Sequence, residues 1–138
     1  VYKRQLLHGD LHPGNVLMAS RGPVVIDWFD AAIGHPVADV VRSSILLRSF
    51  ESADERPHLP GAPPGLLDHL HDSYVSAMSG VVRASPAEVR RWEAAVAASR
   101  LAEDAESDQS SLLALWRGRD RPPGSPRLAA LSAVGTRQ

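Results

Sequence analysis

The sequence predicts a chain of the α+β class, in which a small β-hairpin near the N-terminus precedes a mostly helical remainder. Two β-prone runs, Val16-Leu17-Met18-Ala19 and Val24-Val25-Ile26, flank the short loop Ser20-Arg21-Gly22, which is a hairpin signal. From Val37 onward, apolar residues recur at intervals of three and four. Ser85-Pro86-Ala87-Glu88 has the form of a capping box with proline at the first helical position.

Taken in order, residues 5–8 are short and apolar and suit a strand, and the hairpin follows. Gly34-His35 stops the chain, and Pro36 suits the first turn of a helix. That helix runs to about residue 49 and presents Val37, Val40, Val41, Ile45, Leu46 and Leu47 to a core. Residues 50–64 carry prolines at 57, 60, 63 and 64 and form a loop. A second helix over 66–83 places Leu67, Leu70, Tyr74, Met78 and Val81 on one face. The third starts at the capping box and reaches about residue 104, with Val89, Trp92, Val96 and Ser99 as its buried stripe. A short fourth helix over 108–118 buries Leu112, Leu115 and Trp116. Residues 1–118 form one domain, and 119–138, with Pro122, Pro123 and Pro126, form a fraying tail.

Composition excludes several classes. At 138 residues the chain fits one domain, burying about two thirds of its unfolded surface. A formal charge of −1 without a basic run argues against a nucleic-acid partner. With no cysteine there are no disulfides and no thiolate zinc site, which is compatible with a reducing compartment. No stretch approaches the length of a membrane span or of a secretory signal, so no membrane partner and a cytoplasmic location are expected.

The chemistry concentrates in His8-Gly9-Asp10-Leu11-His12-Pro13-Gly14-Asn15 and in Asp27, which ends the second hairpin run. With the turn centred on Arg21, Asn15 faces Asp27; a bulge at Gly22 shifts the register by one and makes the pair diagonal. Opposed Cβ atoms lie about 5 Å apart, close enough for both side-chain oxygens to reach one magnesium ion at about 2.1 Å. Pro13-Gly14 forces a tight turn, which holds Asp10 near this pair but off it. A carboxylate with an ordinary pKa of about 3.9 is a weak base towards an alcohol. It suits a loose transition state that needs the hydroxyl oriented and its proton accepted late.

Plainer roles compete with these. Asp10 can be a turn residue, Asn15 a cap and Asp27 a strand-end carboxylate; their shared placement favours catalysis and metal binding. His12 is a candidate contact to substrate or phosphate, although a structural part through its ring nitrogens is favoured. His8 suits a satisfied buried histidine, and Asp30 is left outside the site. His69 and His71 point to different helix faces, so with His58 they belong to a solvated surface. Glu103, Asp104, Glu106 and Asp108 suit a solvated helix end better than a surface for a cationic substrate. Trp28, Trp92 and Trp116 suit core or pocket wall.

At these residues the chain resembles the aminoglycoside phosphotransferase and choline kinase-like family, relatives of the protein kinases. The pattern H-x-D-x-x-x-x-N is met by His8, Asp10 and Asn15, and the strand-end I-D-W by Ile26, Asp27 and Trp28. Residues 30–39 look like the family's stretch after the metal aspartate, so the resemblance runs from about Gln5 to Leu47. It implies a mostly helical C-terminal lobe of a protein kinase-like fold. It further implies that Asp10 is the catalytic base, that Asn15 and Asp27 hold Mg2+, and that His8 and Asp39 brace the catalytic loop. The donor would be ATP or GTP and the acceptor a small-molecule hydroxyl, antibiotics among the possibilities.

The family's N-terminal lobe is expected to be absent. Seven residues precede His8, Lys3 is the sole lysine, and no glycine-rich loop lies upstream. The expectation is a truncated or fragmentary catalytic lobe whose partner is the missing nucleotide-binding lobe, and which binds ATP poorly alone. Two alternatives are a non-catalytic remnant or binding lobe, and a metallohydrolase using His8, Asp10 and His12 as zinc ligands.

Overall fold

The computed structural model describes residues 4–52, 63, 65–103 and 109–117. Within them the chain is α+β, with four short strands and four helices. Strand β1 (Gln5–Leu7) comes first, followed by a 3-10 turn at Pro13–Asn15. Strands β2 (Val16–Ala19) and β3 (Gly22–Val25) form the hairpin, and β4 (Ala32–Gly34) follows. The helices are α1 (Pro36–Ser52), α2 (Leu66–Ser79), α3 (Pro86–Ala102) and α4 (Gln109–Trp116).

The strands make two separate antiparallel pairs, β1 with β4 and β2 with β3. The expected hairpin is present, but its register differs from a turn centred on Arg21. Ala19 pairs with Gly22 and Val16 with Val25, so the connection is the two residues Ser20 and Arg21. Gly22 takes φ +113, a conformation that costs a glycine little, and this lets it enter the ladder as the first residue of β3. The shift brings Ile26, not Asp27, opposite Asn15, and the Ile26 amide donates to the Asn15 carbonyl at 2.9 Å. The pairing of β1 with β4 has no counterpart in the sequence patterns. It sets Leu7 opposite Ala32 and joins the segment after Asp27 to the strand before His8.

Helix α1 is the spine. Val37, Val40, Val41 and Ile45 are buried, and they pack with Val75 of α2, Val89, Val96 and Ala97 of α3 and Leu112 of α4. Burial of side chains of this size stabilises by about 1.5–3 kcal/mol each. Helix α2 ends at Ser79, not near residue 83, because the Gly80 and Val81 amides turn back onto the last-turn carbonyls. Val81, assigned by periodicity to the apolar face, is therefore 76% exposed, while Val82 is buried in its place. Ser85 caps α3 as the capping box predicts, its hydroxyl accepting from the Glu88 amide at 3.2 Å. Of the stripe assigned to α3, Val89 and Val96 are buried, but Ser99 is exposed and Ala97 takes its share of the core. Leu112 is fully buried, whereas Trp116, expected inside, is half exposed.

His71, expected on a solvated face, is buried between α1 and α2. Its Nε2 lies 2.9 Å from the Ser44 hydroxyl and its Nδ1 3.1 Å from Asp72. His69 is exposed, and His58 lies outside the described residues, as does the tail 119–138. No helix among the described residues is long and apolar enough to cross a membrane.

Candidate active site

The segment 8–15 leaves β1 and returns into β2, so both of its ends are anchored in ladders. His8 begins it and is buried. A carbonyl can only accept, so the His8 Nε2, 2.8 Å from the Ile26 carbonyl, carries the ring proton. The Nδ1 is then the lone-pair nitrogen and accepts the Asp10 amide at 3.2 Å. One neutral imidazole thus links the backbone of Asp10 to the residue before Asp27. The Trp28 ring closes over it at 4.6 Å between centroids.

Asp39, in the first turn of α1, accepts from two consecutive amides. Its Oδ2 takes the His8 N–H at 3.0 Å and its Oδ1 the Gly9 N–H at 2.8 Å. Both carboxylate oxygens are spent on the loop backbone, and hydrogen bonds to a charged acceptor are the stronger kind. Gly9 sits at φ +82 with its α-carbon against Asp30, where an added Cβ would lie 2.5 Å from the Asp30 carbonyl oxygen. The loop passes there only because the residue has no side chain.

Asn15 is buried at the end of the 3-10 turn. Its amide nitrogen donates to the Asp10 carbonyl at 2.8 Å and to Asp10 Oδ2 at 3.2 Å. That commitment leaves the Asn15 Oδ1 as the atom available to a cation. His12 accepts the Gly14 amide on Nδ1 at 3.1 Å, and its Nε2 lies 3.5 Å from Asp10 Oδ2. The histidine therefore shapes the Pro13-Gly14 turn while facing the carboxylate. Asp27 follows Ile26 with φ 61, the single non-glycine residue at positive φ among those described. Aspartate is one of the few side chains that tolerates this region. The left-handed step takes the chain out of the hairpin ladder at that carboxylate, which is exposed.

Arg42, which the motifs do not single out, lies one turn after Asp39. Its Nε donates to the Gly9 carbonyl. Its two terminal nitrogens each lie 2.9 Å from one oxygen of Glu103, at the end of α3, forming a bidentate pair. Asp30 is 3.8 Å away on another side. Burial pushes the Arg42 guanidinium pKa down, but its bond to Glu103 and the charges of Glu103, Asp30 and Asp10 outweigh this and raise it. The spacing of three on a helix could have signalled Arg42, since Asp39 and Arg42 share a face.

Glu103 is therefore bound within the protein, where the sequence suggested a solvated acidic end; Asp104, Glu106 and Asp108 lie outside the described residues. The hydrogen bond from Arg42 holds the Glu103 carboxyl below the usual range, against partial burial, with help from Arg100. A lowered folded pKa means the pair's contribution is complete above the unfolded value of about 4.3 and is lost as pH falls through the folded one. The melting-temperature gap between the wild-type protein and Glu103→Gln should therefore shrink as pH is lowered from about 7 to about 3. A gap that stays constant over that range would show that Glu103 gains nothing from ionisation.

A cavity of about 240 Å3 lies between Leu7, Gly9 and Arg42 on one side and Trp92, Val96 and Ser99 of α3 on the other. It borders the back of the loop, and the polar groups of Asp39 and Arg42 that reach it are already bonded. Trp92 thus forms part of a cavity wall and also stacks on His35 at 5.4 Å.

No curated protein and no solved structure matches the chain. Residues 2–63 match the model of the phosphotransferase enzyme family. That stretch contains the loop 8–15, Asp27, Asp39 and Arg42, and over it the chain is similar to the phosphotransferase enzyme family, in agreement with the aminoglycoside phosphotransferase-like pattern of its motifs.

Proposed function

We propose that the chain is the catalytic-loop lobe of a magnesium-dependent phosphotransferase that moves the γ-phosphoryl group of ATP or GTP to a hydroxyl on a small molecule. The observation that carries this is the coupling of Asp10 to Asn15 through both the backbone carbonyl and the carboxylate of residue 10, with His8 tying the same loop to Ile26 beside Asp27. Asp10 orients the acceptor hydroxyl and accepts its proton as the oxygen bonds to the γ-phosphorus and the bond to the β-phosphate oxygen breaks. Asn15 Oδ1 and the Asp27 carboxylate are the magnesium ligands, an oxygen-only donor set suited to that ion. Magnesium, when bound, offsets the charge on the phosphate oxygens. His12 is the candidate contact to phosphate or substrate. His8 and Asp39 hold the loop in place.

A nucleotide-gripping lobe that supplies the phosphate-binding lysine is the partner this function calls for. The hairpin supports such a partner, because Leu17 and Val24, paired across it, and the neighbouring Met18 expose apolar surface. The zinc alternative fails on His8, whose two ring nitrogens are engaged by Ile26 and Asp10 and have no lone pair to spare.

Calorimetry on the natural polypeptide with MgATP tests the assignment. Asp27→Ala should weaken magnesium-dependent nucleotide binding at least about tenfold with helicity unchanged, since the residue is exposed. Nucleotide binding that ignores magnesium, or that Asp27→Ala leaves intact, would refute it.

A further inference from the structure

We propose that Arg42 is a positioning residue for Asp10, and that Glu103 at the far end of α3 sets its aim. Gly9 is gripped from both sides. Asp39 takes the amide of Gly9, Arg42 donates to its carbonyl, and Asp30 blocks its α-carbon. The carbonyl that Arg42 holds belongs to the same peptide group as the Asp10 amide, which donates to His8. Rotation of that peptide would change the direction in which Asp10 leaves the loop, so the Arg42 contact fixes the residue that bears the carboxylate.

A guanidinium on a flexible stem would not hold a carbonyl in place alone. Glu103 fixes the plane of the Arg42 fork through two bonds of 2.9 Å, 61 residues away in sequence. Arg100, at 3.7 Å, and the Ser99 hydroxyl, at 3.3 Å, steady Glu103 in turn. The last turn of α3 thus reaches the loop through one rigid fork. A lysine could satisfy the carbonyl or the carboxylate, but it lacks the planar fork that serves both. That Arg42 places a catalytic base rests on the phosphotransfer proposal; that it holds the loop does not.

Amide hydrogen exchange read by NMR separates the two. In Arg42→Met, the amides of His8, Gly9 and Asp10 should exchange at least about tenfold faster, with the interior amides of α1 and α3 changed less than about twofold. Glu103→Gln, which keeps the arginine, should speed the same three amides by about three- to fivefold, and Arg42→Lys should fall between wild type and Arg42→Met. In the natural polypeptide, Arg42→Met should lower kcat for γ-phosphoryl release from MgATP about tenfold or more, with KM for MgATP within about threefold. Unchanged exchange at residues 8–10 in folded Arg42→Met overturns the proposal. So does unchanged exchange in Glu103→Gln should Arg42→Met fail to fold. Selective loop exchange in a wild-type protein without turnover would support the strap and refute phosphotransfer.

Discussion

Asp10→Asn is expected to lower the rate of γ-phosphoryl transfer in the natural polypeptide by about a thousandfold, within the span usual for a general base. The substitution isolates the proton-accepting role proposed for Asp10. Asparagine keeps an oxygen that can accept from the Asn15 amide, which lies 3.2 Å from Asp10 Oδ2, and the backbone carbonyl of residue 10 still receives the same amide at 2.8 Å. The loop should therefore keep its path, and Asn15 should keep its Oδ1 free for a cation. Nucleotide affinity should stay within about threefold while turnover collapses, the signature of an interaction made in the transition state. Steady-state kinetics alongside calorimetry would check this, and a loss below about tenfold would remove Asp10 from the role of base.

Gly9→Ala is expected to destabilise the fold by about 3 kcal/mol, above the ordinary range for a surface loop. Two independent effects act on it. The backbone is at φ +82, where a Cβ carries a steric cost, and that Cβ would fall 2.5 Å from the Asp30 carbonyl oxygen and 2.9 Å from the Asp30 Cβ. Because the obstacle includes backbone, the loop itself has to move. Movement would strain the bonds from Asp39 to the amides of His8 and Gly9. Gly14 is the contrast. An alanine there meets only the His12 imidazole, 2.8 Å away at its Cε1, and a side chain can swing aside. Urea melts of the two variants should differ by about 2 kcal/mol, and equal midpoints would show that the contact with Asp30 yields easily.

The helices and the hairpin were legible because each carries a local signal. Pro36 opens α1, Ser85 caps α3, and the apolar spacing of Val37, Val40, Val41 and Ile45 marks a buried face that is indeed buried. That His8 and Asp39 brace the loop was implied by the family resemblance and not by their spacing. Asp39 accepts from the His8 and Gly9 amides, and His8 is buried with both ring nitrogens engaged. What escaped depends on contacts distant in sequence. The β1–β4 pair joins the strand expected at residues 5–8 to residues 32–34, whose composition carries little strand signal. The fork between Arg42 and Glu103 joins a helix start to a helix end, and nothing in either neighbourhood announces the other. His71 shows the same limit, since only the packing of α1 on α2 buries it beside Ser44.

Asp39 and Arg42 stand on either side of Val40 and Val41, which are buried to 1% and 0%. The grip on the loop and the oil-like underside of the spine are thus parts of a single rod, and a rod cannot be tilted at one point without tilting at the next. A methylene gained or lost beneath it would therefore also disturb the bonds that Asp39 and Arg42 make to the loop, and with them the direction in which Asp10 leaves it.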